Sequence, residues 1–464
     1  MSQRVALSSS PKEHKSTSPL PLQPHMTPGC PHHAPNLAGV GLLCWAMGLH
    51  SFEALAHLGA ALCLVAALLK RPPWAELKKA AYAWRWLLAF VLWAIFGPLC
   101  FGHVPRGSGV GRSLLLLALP VAAHAFFLAG PTWTKRVLLG GMALWVLSCL
   151  AAALQHFGFW PTAEWFSGLG FLKNNFYRVY EEVSGQPGRY MAGGLLFHRL
   201  KFATVGSLFA LLSLGLALFA SPHLSGRHFS ARRRPYWVGV CLLGTFSIVW
   251  FPFARMAALS LCLALAFQLF FGIPKRKLAL LCIVGLSLFS ALAISLHEGF
   301  RSRLLSSLSG EGSGDRVALW SSGWRAVQFS PWVGVGAGQF RPSAFPSDEM
   351  PAYVKENPGK AHNQALSIAA ESGVIGLLLA FMAFFAVAKH FLRGQHFGKT
   401  GLSLLLFFAC LSLSHDPLFQ DISILAFTWA LGACWALLRQ TQPSTSAQAL
   451  HPPERASAPL TPPP

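Results

Sequence analysis

The chain has 464 residues, 53% of them hydrophobic and only 11% charged, with a mean hydropathy of +0.47. A soluble domain carries about 25% charged residues, so this balance excludes an ordinary water-soluble globule. Lys and Arg number 37 against 16 Asp and Glu, for a net charge of +21. Most of these cations flank apolar runs, which fits membrane orientation better than nucleic-acid binding.

Residues 1–36 are rich in Ser, Pro and His and have no apolar stretch of the signal-peptide kind. They predict a disordered tail, as does 441–464 at the other end. Cys30, His32 and His33 read as part of that flexible tail rather than as a metal site. The other nine cysteines lie in apolar runs at no zinc or redox spacing, so neither a disulfide framework nor a metal cluster is expected.

Twelve spans are predicted, at 38–50, 53–69, 86–102, 113–129, 137–154, 203–220, 236–252, 255–271, 278–296, 373–392, 401–415 and 421–438. The first two read either as a hairpin or as one long tilted helix. With a cytoplasmic N-terminus, clusters such as Arg232–Arg234 and Lys275–Lys277 fall in short cytoplasmic loops, and only Arg106, Arg112 and Arg255 fall in short outer ones. Longer loops at about 155–202 and 297–372 then face outward. The expected fold is an all-α polytopic membrane domain over 37–440, with about twelve transmembrane helices and a large outer loop before the tenth.

Arg255, in VWFPFARMAALSLCLAL, is the sole charge in a tight outer turn after the helix-breaking Pro252. It either snorkels to water or holds a phosphate by bidentate hydrogen bonds. In the large loop, SGDRVALWSSGWRAVQFSP predicts a helix capped by Ser313 or Asp315 and ended by Ser330-Pro331. Arg316, Trp320 and Trp324 recur every four residues on one face, as in an interfacial helix, with Arg316 directed at a phosphorylated lipid. The following WVGVGAGQF lacks the Lys-Ser/Thr of a P-loop and the βαβ setting of a dinucleotide site, and reads as a flexible turn.

AHNQALSIAAESGVIGLLLAF, 361–381, begins with polar residues and continues as an apolar span. A helix starting near His362 puts Leu366, Ala369 and Gly373 on the histidine's face and Glu371 about half a turn away. Glu371 is therefore a supporting residue rather than a catalytic partner, while a neutral His362 can accept a proton from a hydroxyl. In SHDPLFQD, His415, Asp416 and Asp421 read as a cap and turn, or at most as lining residues.

An outer Arg opening a span, a D-R-x-x-x-W helix leading to G-V-G-x-G-x-F, and H-N-x-x-L-x-x-x-x-E-x-G-x-x-G entering a span together resemble the O-antigen ligase and polymerase superfamily of bacterial envelope glycosyltransferases. The motifs cover roughly 240–392, with Ala254 where that family often has a small hydroxyl residue. The resemblance implies metal-independent transfer without a cofactor, on the periplasmic face of the inner membrane. The donor would be an undecaprenyl-pyrophosphate-linked glycan. The acceptor would be lipid A-core in a ligase, or a growing polysaccharide in a polymerase; a protein O-oligosaccharyltransferase shares the chemistry. Arg255 and Arg316 would stabilise the pyrophosphate leaving group and His362 would activate the acceptor hydroxyl, these three being the catalytic candidates. Arg301, Arg303, Arg325 and Arg341 would form a positive funnel, with Asn363, Trp320 and Trp324 also binding substrate. Glu371 and Gly373 would provide structural support. A flippase or transporter is the reading from another class, but Glu53, His57 and His124 are too few polar residues within spans to favour it. Membrane lipids are expected partners, and nucleic acid is not.

Overall fold

The computed structural model describes residues 33–70, 74–159, 182–183, 186–196, 198–219, 234–296, 301, 314–346, 360–394 and 396–440. Helices dominate them: α1 (His33–Gly48), α2 (Glu53–Leu69), α3 (Trp74–Phe96), α4 (Gly107–Leu115), α5 (Ala118–His156), α6 (Arg199–Phe219), α7 (Arg234–Trp250), α8 (Arg255–Gly272), α9 (Arg276–Leu296), α10 (Gly314–Phe329), α11 (Gln364–Leu392), α12 (Phe397–Ser412) and α13 (Asp421–Gln440). Among the described residues there is no strand, only an isolated bridge between Glu182 and Tyr190.

Among the described residues, six helical segments are long and apolar enough to cross a membrane: Trp84–Phe101, Gly107–His156, Arg199–Phe219, Arg255–Gly272, Gln364–Leu392 and Asp421–Arg439. α2 and α12 are apolar but shorter. The sequence-derived count of twelve therefore stands as an expectation, although a helix accompanies each of its runs. α1 and α2 resolve the first ambiguity, packing as two separate helices joined at 49–52. α1 also begins at His33, inside the stretch expected to be tail.

α5 is two arms rather than one rod. Gly130 leaves helical geometry (φ 71°, ψ 179°) just before Pro131. The Thr134 hydroxyl then reaches the Phe126 carbonyl at 3.5 Å, eight residues back. Eight residues of straight helix would rise about 12 Å, so the chain bends sharply here, between the spans expected at 113–129 and 137–154. The core gathers around large rings: Phe209 stacks on Trp429 at 5.3 Å, Phe126 meets the same indole edge-on at 5.5 Å, and Trp145 lies 5.0 Å from Phe202. Close packing of such rings holds helices together where lipid gives no hydrophobic drive between them.

α11 is also broken, at Gly373 (φ 68°, ψ −176°), where the span expected at 373–392 begins. The break is completed by the glycine segment after α10. Val335 and Gly336 donate N–H groups to the Ala370 and Glu371 carbonyls at 2.9 and 3.0 Å, while Val374 N–H donates to the Pro331 carbonyl at 2.8 Å. Trp93 of α3 donates its indole N–H to the Ser372 carbonyl at 3.0 Å. A Cβ on Gly373 would lie 2.1 Å from the Trp332 carbonyl oxygen, so only glycine allows this approach. The 332–340 turn, read from sequence as flexible, is thus pinned by backbone hydrogen bonds, because its carbonyl and N–H groups replace the helix ladder that α11 loses at its kink.

Candidate active site

The site forms where the strap 360–363 enters α11 and the 413–420 turn joins α12 to α13. Asn363 caps α11, its Oδ1 accepting the Leu366 N–H at 3.1 Å. His362 is outside the helix, in left-handed backbone geometry at φ 53°, so the helix starts two residues later than the sequence expectation. That geometry costs a β-carbon-bearing residue roughly 1–2 kcal/mol. It is held by Asp416: Oδ2 accepts the His362 N–H at 2.7 Å, and Oδ1 accepts the Ser367 hydroxyl at 2.8 Å. Beside this clasp, Gln364 Oε1 accepts the Leu418 N–H at 2.8 Å, lacing strap and turn together.

The His362 and His415 rings lie edge to face, with centroids 6.3 Å apart. His362 keeps part of its surface open to solvent, yet it sits in dense protein surroundings. Those surroundings push its pKa below the ordinary imidazole value; Asp416 pulls it up and Arg316 pushes it down. Burial, then His362 and Arg316, drives His415 down to about 4, with Arg199 acting in the same direction. Burial raises the Asp416 carboxyl above its usual range, opposed by its hydrogen bonds from Ser367 and His362. The arrangement presents a neutral imidazole beside a fixed carboxylate, with guanidinium charge nearby. It can take a proton and stabilise an anion.

The structure brings His362, Asn363 and Arg316 to one place. Arg316 sits in the first turn of α10, half-buried, and Trp320 and Trp324 are exposed on the same helix. Arg255 is the first residue of α8, half-buried after the Phe253 turn. Phe253 packs with Met191, whose sulfur receives a hydrogen bond from the Arg199 guanidinium at 2.7 Å. Arg301 and Arg341 are exposed, the Arg325 guanidinium donates to the Pro346 carbonyl, and Arg303 lies outside the described residues, as do Ser313 and the Asp315 side chain. Glu371 is buried, its carboxylate 3.5 Å from the Lys360 ammonium and 4.0 Å from the Arg112 guanidinium.

Asp416 is the main correction: read from sequence as at most a lining residue, it is the group that clasps the His362 strap. No local signal links it to a histidine 54 residues earlier. Arg199 and Lys360 were also missed, since neither belongs to a recognisable spacing. Arg112 registered only as one of the few outer charges.

A long apolar groove with a cavity volume of about 380 Å³ starts at this site. Its lining includes Asn363 and Leu413 beside the site, then Ile368, Val387, Leu405 and Phe408, with Leu87 and Phe90 of α3 also facing it. A smaller polar chamber of about 40 Å³, bordered by Arg112, Gln364, Glu371 and Phe419, adjoins it. Among the described residues there is no group of three or more His, Cys, Asp or Glu that could hold a metal.

Residues 239–381 match a family model described as O-antigen ligase, a stretch that contains Arg255, Arg316 and His362. This match supports the superfamily resemblance drawn from the motifs. Asp416 and Arg199 lie outside the matched segment. No curated protein matches the chain.

Proposed function

We propose that the protein transfers a glycan from an undecaprenyl-pyrophosphate carrier to a sugar hydroxyl at the periplasmic face of the inner membrane, with lipid A-core as the acceptor. The observation that carries this reading is the neighbourhood of three features: an exposed imidazole, a guanidinium whose charge acts on it, and an apolar groove lined by the adjacent Asn363. A polyprenyl-linked donor needs an apolar bed for its tail and cations for its pyrophosphate. The acceptor needs a base.

In this mechanism the acceptor oxygen attacks the anomeric carbon of the donor glycan and His362 receives the hydroxyl proton. The bond between the anomeric carbon and the pyrophosphate oxygen breaks, and Arg316 and Arg255 stabilise the negative charge left on the carrier. Asp416 fixes the His362 backbone through the 2.7 Å bond and favours its imidazolium form once the proton arrives. The exposed Trp320 and Trp324 suit contact with sugar faces or headgroups, and Arg301, Arg325 and Arg341 supply positive charge for the anionic donor. Guanidinium groups take the part of a metal clamp, so turnover is expected to persist in EDTA.

The test is a deletion strain complemented with His362→Ala, Arg316→Ala and Arg255→Ala, with lipopolysaccharide profiles compared at equal protein amounts. Loss of polymer on the core while lipid-linked polymer accumulates is the expected result. Capping at a single repeat unit would assign polymerisation instead. Normal banding in all three variants would overturn the assignment.

A further inference from the structure

Three separate elements meet at Glu371 and Phe419. Lys360, at the return of the large loop, places its ammonium 3.5 Å from Glu371 Oε1 and 4.1 Å from the centre of the Phe419 ring. Arg112, from α4, places its guanidinium 4.0 Å from the same oxygen and 4.5 Å from the same ring. Glu371 is 5% exposed, and Gly338 of the pinned turn also hydrogen-bonds it. Phe419 closes the short helical turn Pro417–Phe419 that follows Asp416 directly. One carboxylate and one aromatic ring therefore collect two cations, next to the clasp that holds His362.

Such a cluster is more than fold support because of where its ends lead. Lys360 precedes His362 by two residues and Phe419 follows Asp416 by three, so the two halves of the His362–Asp416 clasp are anchored on the same ring. Removing one partner from such a group is the costly change, because it leaves a buried carboxylate with less compensating charge and an aromatic ring without its cation. We propose that Lys360, with Arg112, Glu371 and Phe419, forms a positioning latch that sets where the His362 imidazole stands relative to the acceptor hydroxyl. This inference rests on the glycosyl-transfer reading for its kinetic consequence and on the described contacts for its structural one.

Lys360 differs from Arg112 in one testable respect. Burial pushes its pKa below the ordinary lysine value; Glu371 and Asp416 oppose that push, and Arg112 adds to it. The latch therefore loses one cation as pH rises through a value below that of a free lysine, and turnover falls with it. An arginine at 360 stays charged throughout.

Full-length protein in proteoliposomes, with undecaprenyl-pyrophosphate-linked glycan and lipid A-core as substrates, provides the test. Lys360→Met and Glu371→Gln are expected to lower kcat by about tenfold or more, with donor KM within about twofold of wild type, the pattern of a displaced catalytic group rather than a lost binding contact. Lys360→Arg should restore kcat and move the alkaline fall in activity to higher pH. A second arm needs no substrate. Hydrogen exchange at the His362 N–H, read by mass spectrometry on the same preparations, should quicken in Lys360→Met and return to wild-type rate in Lys360→Arg. Unchanged kcat and unchanged exchange in Lys360→Met would overturn the latch, as would a loss confined to KM or an arginine variant that rescues neither property. If wild-type protein transfers glycan to no acceptor, the proposed function fails, while the exchange arm still decides the latch.

Discussion

Asp416→Ala removes both halves of one carboxylate's work: the 2.7 Å bond from the His362 N–H and the 2.8 Å bond from the Ser367 hydroxyl. Bonds to a charged acceptor contribute about 1.5–3 kcal/mol each, and the lower figure applies here because Asp416 is buried and pays for desolvation. Together they hold the strap by about 3 kcal/mol, against the roughly 1–2 kcal/mol that the left-handed His362 backbone costs. Without that hold the strap is disfavoured by its own strain of roughly 1–2 kcal/mol, so at 1.4 kcal/mol per factor of ten the competent form becomes about 5- to 25-fold rarer. Purified Asp416→Ala protein in proteoliposomes should therefore show kcat lower by about 5- to 25-fold, with donor KM little changed because Arg316 and the groove are intact. Asp416→Asn keeps one acceptor oxygen and loses the charge, so it should fall between the two. Turnover by Asp416→Ala within about twofold of wild type at equal protein amounts would refute the reasoning, and so would a loss that resides in KM.

Gly334→Ala puts a Cβ 2.3 Å from the Glu371 carbonyl carbon at a φ of 72°, so the purified variant should melt at a lower temperature, and an unchanged melting point would contradict the pinned turn. His415, held down to about 4, binds no proton in the folded state between that value and the ordinary 6.5, whereas the unfolded chain does. Stability should thus fall as pH drops through this window, and His415→Gln should flatten the fall measured by denaturation at several pH values. Ala409→Trp fills the apolar groove and should raise the KM for an undecaprenyl-linked donor by about tenfold, a loss of 1.4 kcal/mol, while a short-chain prenyl donor keeps its KM.

The membrane character, the helical class and the candidate histidine were legible because each is written locally, in apolar runs and in H-N at the mouth of one. Asn363 is expected from sequence to bind substrate, and its cap on α11 is a role the sequence does not assign; Glu371 lies buried beside Lys360 and Arg112. Asp416, Arg199 and Lys360 were not legible, since each reaches the site through tertiary packing and none stands at a spacing that marks a partner. The Gly334, Gly336 and Gly338 series announced a turn but not its rigidity, because the groups that pin it, the carbonyls of Ala370 and Glu371, are exposed only when α11 breaks.

The splice at Gly373 has a consequence for how sequences sharing this site can diverge. Two N–H groups of the turn, at Val335 and Gly336, and one carbonyl before it, at Pro331, take the places that α11's own ladder would have filled. That substitution depends on register: a single residue inserted between Pro331 and Val335 would shift every later group off its partner. Side chains there can be exchanged wherever no Cβ meets the α11 backbone, but the count of residues cannot. Chain length between α10 and Gly336 is therefore expected to stay fixed while the neighbouring outer loops change in both length and composition to suit different acceptors.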